Sequence, residues 1–242
     1  MCTLTVLRES NRLLVTMNRD DIAAREEAPP AQSSTAEATF VAPRDLQAGG
    51  TWIGVNSHGV IACLLNRYDA APAGRASRGN IVLEAMRSTS IDAACKALTA
   101  LDHLAYSPFT SLLIARQSTA RLDWTGSRLE RTDLAADNDV LMVTSSSWQF
   151  DAVKAKREAL FREIWADSDD AIDKVGAFHS RRVNENDAWA PMMQRPHSQT
   201  KSVTQVELTS FGAEMHYWTR DTAIDCQLTS PETSIRLNRE KR

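Results

Sequence analysis

The sequence predicts an α+β fold, a four-layer αββα sandwich in which two antiparallel sheets pack face to face with helices outside. Three observations carry this reading. Short strand-like runs arrive as hairpins, helical periodicities arrive in pairs between them, and no βαβ alternation or internal repeat breaks the order. Along the chain that order is hairpin, hairpin, helix pair, strands, helix pair, hairpin. With 242 residues, 43% of them hydrophobic and 24% charged, the chain can bury a full core without disulfides or metals. One domain over residues 1–242 is expected.

Residues 3–7 and 13–17 read as two strands around a polar turn. If Ser10-Asn11 is a two-residue loop, Cys2 faces Arg19, Leu4 faces Met17 and Val6 faces Val15; a three-residue loop would instead set Cys2 opposite Asn18. Leu4, Val6, Val15 and Met17 share one face, and Thr3, Thr5, Thr16 and Asn18 the other, the pattern of a half-buried sheet. Residues 26–37 lack periodicity and contain Pro29-Pro30, which predicts a surface loop. Residues 52–55 and 60–66 form a second hairpin around an Asn-Ser-His-Gly turn. Ile91, Ala94, Cys95, Leu98 and Leu101 recur at helical spacing behind a Ser90 cap. Strands follow at 110–115, 121–124 and 140–144. Val153, Leu160, Phe161 and Ile164 mark an amphipathic helix, with a second over 170–178. Residues 202–208 and 215–219 close as a hairpin before a polar tail.

Several function classes are excluded on composition. Lys and Arg total 28 against 31 Asp and Glu, with no basic cluster interleaved with aromatics, so no nucleic acid is expected as partner. Arg8, Glu9 and Arg12 interrupt the stretch where a signal peptide needs an apolar run, which predicts a cytoplasmic protein. The longest stretch free of Asp, Glu, Lys and Arg, residues 46–66, carries four glycines and several polar side chains, so no membrane span is expected. Four scattered cysteines and five histidines lack zinc-ligand spacing, which predicts a reduced protein with no metal and no cofactor.

The chemistry begins at Cys2. A small second residue exposes Met1 to its aminopeptidase, leaving one residue with both a thiol and an α-amine. The amine titrates at about 7.7–8.0 and the thiol at about 8.5, so the amine can serve as base for its own side chain. A guanidinium favours the thiolate and a carboxylate orients the amine. Arg19 with Asp20 or Asp21 supplies both, and either hairpin register brings Cys2 to them.

These residues carry a resemblance. MCTLTV, MNRDD, PRDLQAGGTWIGVNSHGVIACLLN and SRGNIV resemble the Transport and Golgi Organisation protein 2 family, most closely over residues 1–90, with Asp21 where the family signature has Glu. The resemblance implies an N-terminal-nucleophile hydrolase fold. More distantly, Cys2, Arg19, Asp20 or Asp21, and Gly59 through Leu65-Asn66 resemble the cholylglycine hydrolase and penicillin V acylase group. That likeness implies that Asn66 lines an oxyanion hole and that a second donor, Asn in the acylases, falls at Ser145 here. A hydroxyl is shorter than an amide and weakens that donor. For the acylases' further arginine, Arg181 and Arg182 are the nearby candidates. The implied activity is amidohydrolysis through a Cys2 acyl-enzyme, acting on a small-molecule substrate. The alternative is a non-catalytic binding or trafficking protein that holds a hydrophobic ligand such as haem, a lipid or an acyl-CoA.

Other residues take a structural reading. His216-Tyr217-Trp218 alternates between one core face and one surface face, and Met192-Met193 with His197 is an ordinary loop rather than a haem ligand set. Trp52 walls a pocket or packs in the core. Cys63 and Cys95 are inert core thiols.

Overall fold

The computed structural model describes residues 2–68, 74–135, 140–166, 170–183 and 188–239. The chain opens on β1 (Cys2–Arg8) and β2 (Arg12–Ile22), then β3 (Glu27–Ser34), β4 (Thr39–Asp45), β5 (Ile53–Asn56) and β6 (Ile61–Asn66). Helices α1 (Gly79–Ala85) and α2 (Ile91–Thr99) follow, the second capped by the Ser90 side chain, which accepts from the Ala93 N–H. Next come β7 (Phe109–Ala115), β8 (Ser118–Trp124), β9 (Leu129–Leu134) and β10 (Val140–Thr144), then α3 (Phe150–Ala166) and α4 (Ala171–His179). The chain ends on β11 (Ser198–Thr209), β12 (Gly212–Thr219), α5 (Arg220–Cys226) and β13 (Thr233–Asn238).

These strands make two antiparallel sheets, one ordered β10-β1-β2-β11-β12-β13 and the other β3-β4-β5-β6-β7-β8-β9. The interior forms where their apolar faces meet: Leu4, Val6, Val15 and Met17 of the first sheet pack with Ile53, Ile61, Cys63 and Leu112 of the second. Outside the second sheet, Ile81, Met86, Cys95 and Leu98 pack on Leu64, Leu113 and Leu122. The expected α+β sandwich is therefore the observed fold.

The outer face of the first sheet is hydrogen-bonded rather than apolar. Thr3, Thr5, Thr16 and Asn18 are fully buried, so both faces of this sheet are covered and the half-buried expectation fails there. The cause is the helical layer, which brings two polar side chains onto the threonine face, Arg157 of α3 onto Thr3 and His179 onto Thr5 and Asn18. His179 at the end of α4 lies 2.7 Å from Thr5 Oγ1 through Nε2 and 2.5 Å from Asn18 Oδ1 through Nδ1. Asn18 Nδ2 donates to the carbonyls of His179 and Pro191, so its Oδ1 must accept. Nδ1 therefore carries the imidazole proton, and Nε2 accepts from Thr5.

This neutral imidazole makes the fold acid-labile. Burial first, then the Arg157 charge, pulls His179 from 6.5 to about 3. A base depressed in the folded state contributes stability that is present above the unfolded pKa and lost as pH falls. The window is pH 6.5 down to about 3. Urea midpoints should fall across it in the native sequence, and less steeply in His179→Gln, which has no titrating ring. Equal slopes for the two proteins would rule His179 out as the cause.

Three expectations are corrected. Residues 26–37 are not a loop: β3 is an edge strand paired with β4, and Pro29-Pro30 falls where its register shifts between Ala28 and Ala31. Proline is tolerated there because neither residue must donate to the ladder. The polar tail forms β13, which pairs with β12 from Tyr217↔Thr233 to Gly212↔Asn238 and is half-exposed, as an edge strand is. Tyr217 and Trp218 are both buried, Tyr217 in the intersheet core and Trp218 against Ala223 of α5, so the expected surface face is covered.

Candidate active site

The first hairpin places Cys2. β1 and β2 pair from Cys2↔Arg19 to Arg8↔Leu13, which selects the two-residue Ser10-Asn11 loop. On its other side β1 pairs with β10, Thr3 facing Thr144. One step beyond, the Ser145 N–H donates to the Cys2 carbonyl at 2.9 Å, and the Cys2 nitrogen donates to Ser145 Oγ at 3.1 Å. Cys2 thus heads an interior strand, held by backbone on both sides. Met1 and its removal lie outside the described residues.

Cys2 is 7% exposed and lines a cavity of about 460 Å³ together with Arg19, Asp20, Asp21, Trp52 and Asn66. Burial pushes its thiol above the ordinary value and the Asp20 charge adds to this, while a hydrogen bond from the Asp20 backbone and the Arg19 charge pull the other way. The resting thiol is therefore protonated, and a base must take its proton before it can attack.

Arg19 is 4% exposed and fully engaged. Its guanidinium carbon stands 4.2 Å from the centre of the Trp52 ring, and it pairs with Asp21 at 3.1 Å, Asp45 at 3.3 Å and Glu27. The Tyr217 hydroxyl donates to Glu27 at 2.8 Å. Strands of both sheets thus converge on one guanidinium, which ties the two sheets together at the end where Cys2 lies.

The two aspartates separate cleanly. Asp20 is 2% exposed, accepts from Thr200 Oγ1 at 2.6 Å and lies 3.6 Å from Arg157 Nη2. Burial raises its carboxyl above the ordinary value, against the pull of Arg157. Asp21 is half-buried and bridges Arg19 and Arg25. Asp20 is the carboxylate whose field reaches Cys2.

Asn66, the last residue of β6, borders the Cys2 cavity and also a second cavity of about 370 Å³ lined by Leu65, Val143, Ser145 and Phe150. Its Nδ2 makes one long bond, 3.3 Å to the Tyr68 hydroxyl. The expected residues therefore assemble, with one difference in position: Ser145 touches the Cys2 nitrogen, not the mouth of the Cys2 cavity.

Arg181 and Arg182 do not line the Cys2 cavity; Arg181 borders a different one beside Glu163 and Asp173. The arginine under the site is Arg157 of α3, 1% exposed. It donates to Thr3 Oγ1, Thr144 Oγ1 and the carbonyls of Trp189 and Ala190. Sequence reading missed Glu27, Asp45 and Arg157. A charge account was the available signal for the first two, since a buried Arg19 needs buried carboxylates. Met192 and Met193 are buried, Met192 beside Val203 and Trp218, while His197 is exposed, so they form no ligand set.

A sandwich of two antiparallel sheets, with Cys2 heading a strand paired on both sides, is a fold that solved structures share. The chain is similar in fold to an alanine-for-cysteine mutant of the conjugated bile acid hydrolase of Clostridium perfringens, at 11% identity and a TM-score of 0.56 over 98% of this chain and 92% of that one. A second variant of the same enzyme gives 11% identity and a TM-score of 0.51 over 99% and 98% of the two chains. No curated protein matches the sequence. The family profile of Transport and Golgi organisation 2 matches residues 1–227, and the chain belongs to that family.

Proposed function

We propose that this protein is an N-terminal-cysteine amidohydrolase acting on a small molecule. The observation that carries the reading is the Cys2 nitrogen beside its own thiol, 3.1 Å from Ser145 Oγ and within the field of Asp20, at the wall of an open cavity. With Met1 removed, that nitrogen is an α-amine. It takes the thiol proton, the thiolate attacks the carbonyl carbon, and Asn66 Nδ2 donates to the oxyanion. The protonated amine then gives its proton to the departing amine as the C–N bond breaks. Water, deprotonated by the same α-amine, releases the acyl group from Cys2. Ser145 and Asp20 hold the amine, and Arg19, anchored by Asp21, fixes the strand opposite Cys2. Four free cysteines, three of them buried, suit a reducing cytoplasm.

Intact mass should match a chain that begins at Cys2, and an acyl adduct from p-nitrophenyl acetate should map to the Cys2 peptide and vanish in Cys2→Ala. Retention of Met1 throughout the purified protein, or turnover surviving Cys2→Ala, would sink the reading.

The burial that keeps the resting Cys2 thiol protonated favours a second reading, a binding protein that uses these cavities for a hydrophobic ligand. The two part on one measurement. A binding protein keeps its affinity for the ligand in Cys2→Ala and shows no acyl adduct in the native sequence.

A further inference from the structure

We propose that the Cys2 cavity carries a built anion subsite, formed by Arg75 and Arg78, that takes a carboxylate or phosphate group of the substrate; this rests on the hydrolase reading and names its substrate class. The charges on the cavity wall divide unevenly. Arg19 and Arg25 are more than matched by the three carboxylates of Asp21, Asp45 and Glu27, and Asp20 faces Arg157. Arg75 and Arg78 line the same cavity and, among the described residues, neither comes within ion-pair distance of a carboxylate. Arg78 spends one donor on the Pro108 carbonyl at 2.9 Å and keeps the rest of its fork. Burial pulls its guanidinium below the ordinary value, against the smaller opposing effect of the Asp21 charge.

The segment carrying both arginines is pinned, not draped. A Cβ on Gly74 would stand 2.3 Å from the Tyr106 carbonyl carbon, and one on Gly79 would stand 2.7 Å from the Thr51 nitrogen. Between them the Ala76 N–H donates to the Ala105 carbonyl at 2.9 Å. Three backbone contacts therefore fix residues 74–79 across the cavity, and only glycine permits two of them. Positive charge held in advance at a cavity beside the nucleophile, here on exposed Arg75 and half-buried Arg78, is how a site selects an anionic substrate.

An isosteric reagent pair tests this without knowledge of the substrate. Iodoacetate and iodoacetamide alkylate the same thiolate and differ in charge, so their rate ratio cancels any change in thiol pKa. Half-exposed Cys226 serves as an internal reference. The ratio at Cys2, read by peptide mapping, should exceed that at Cys226 by about tenfold. In R75Q/R78Q it should drop to the Cys226 value while Cys226 itself does not change. Inorganic phosphate and acetate at constant ionic strength, added as competitors, separate the two anion sources: the better protector of Cys2 names the group.

A ratio at Cys2 equal to that at Cys226, or unchanged in R75Q/R78Q, overturns the subsite. If neither reagent reaches Cys2, melting temperature replaces the rate: phosphate or acetate must raise it in the native sequence and not in R75Q/R78Q, and equal responses overturn the proposal. Anion preference in a protein without acyl turnover would keep the subsite and remove the hydrolase, so the two failures are distinguishable.

Discussion

Arg157→Met should lower the unfolding free energy by about 3–5 kcal/mol, the range for removing one partner from a buried charged network. The magnitude follows from what the side chain leaves behind. Its guanidinium satisfies the hydroxyls of Thr3 and Thr144 at 2.5 and 2.8 Å and two carbonyls at 3.0 and 2.9 Å, and it stands 3.6 Å from the buried carboxylate of Asp20. Methionine fills much of the volume but donates nothing, so several acceptors and one carboxylate lose a partner in a region closed to water.

The same substitution should raise the Asp20 carboxyl further, since Arg157 is the largest influence holding it down against burial. Asp20 would then be neutral over more of the pH range, and its hold on the Cys2 amine would weaken. Arg157→Lys keeps the charge without the planar fork and should fall between the two. Chemical unfolding of the three proteins at pH 7 decides it. A methionine variant within about 0.5 kcal/mol of the native sequence, the usual scatter of a neutral substitution, would show that Arg157 is not the support described.

What could be read in the sequence, and what could not, divides by how far apart in the chain the cause lies. The buried face of the β1–β2 hairpin was readable because Leu4, Val6, Val15 and Met17 alternate with threonines. Loop length left two partners open for Cys2, Arg19 or Asn18, and the observed pairing is with Arg19. The β3 strand was not readable, because an edge strand half in solvent needs little apolar patterning and its two prolines fall in a register break. Glu27 was lost with it, although it is the carboxylate that meets both Arg19 and Tyr217.

Remote pairing hid the rest. Arg157 lies on an amphipathic helix whose exposed face is also charged, and nothing local marks one arginine as the one that turns inward beneath Thr3. His179 ends a helix where a basic residue is ordinary, yet it is the side chain that makes a threonine face buriable. The final strand reads as a tail because it is short and mostly polar, although its burial alternates along Thr233–Asn238 with Leu237 the one buried residue. For Arg157 and His179 the local pattern was polar and the partner came from another layer of the sandwich.

Ser145→Asn should raise turnover on activated amides by about 10²-fold, the scale set by one oxyanion donor. Serine places its hydroxyl on the Cys2 nitrogen at 3.1 Å, where it acts as acceptor. Its single proton is then the only donor it can offer, from a short side chain. Asparagine separates the two tasks: Oδ1 can accept from the amine while Nδ2 donates toward the oxyanion opposite Asn66. Space exists for the longer side chain, because Ser145 borders the cavity of about 370 Å³ that also meets Asn66. Ser145→Ala should do the reverse, removing the amine's acceptor and lowering kcat with little change in KM, since the lost contact is to the base and not to bound substrate. Kinetics on N-acyl p-nitroanilides would measure all three proteins, with Cys2→Ala added to the asparagine background. A gain that persists without Cys2 would refute the mechanism. Indifference of kcat to both Asn and Ala at position 145 would remove Ser145 from the site and move the weight to a ligand-binding protein.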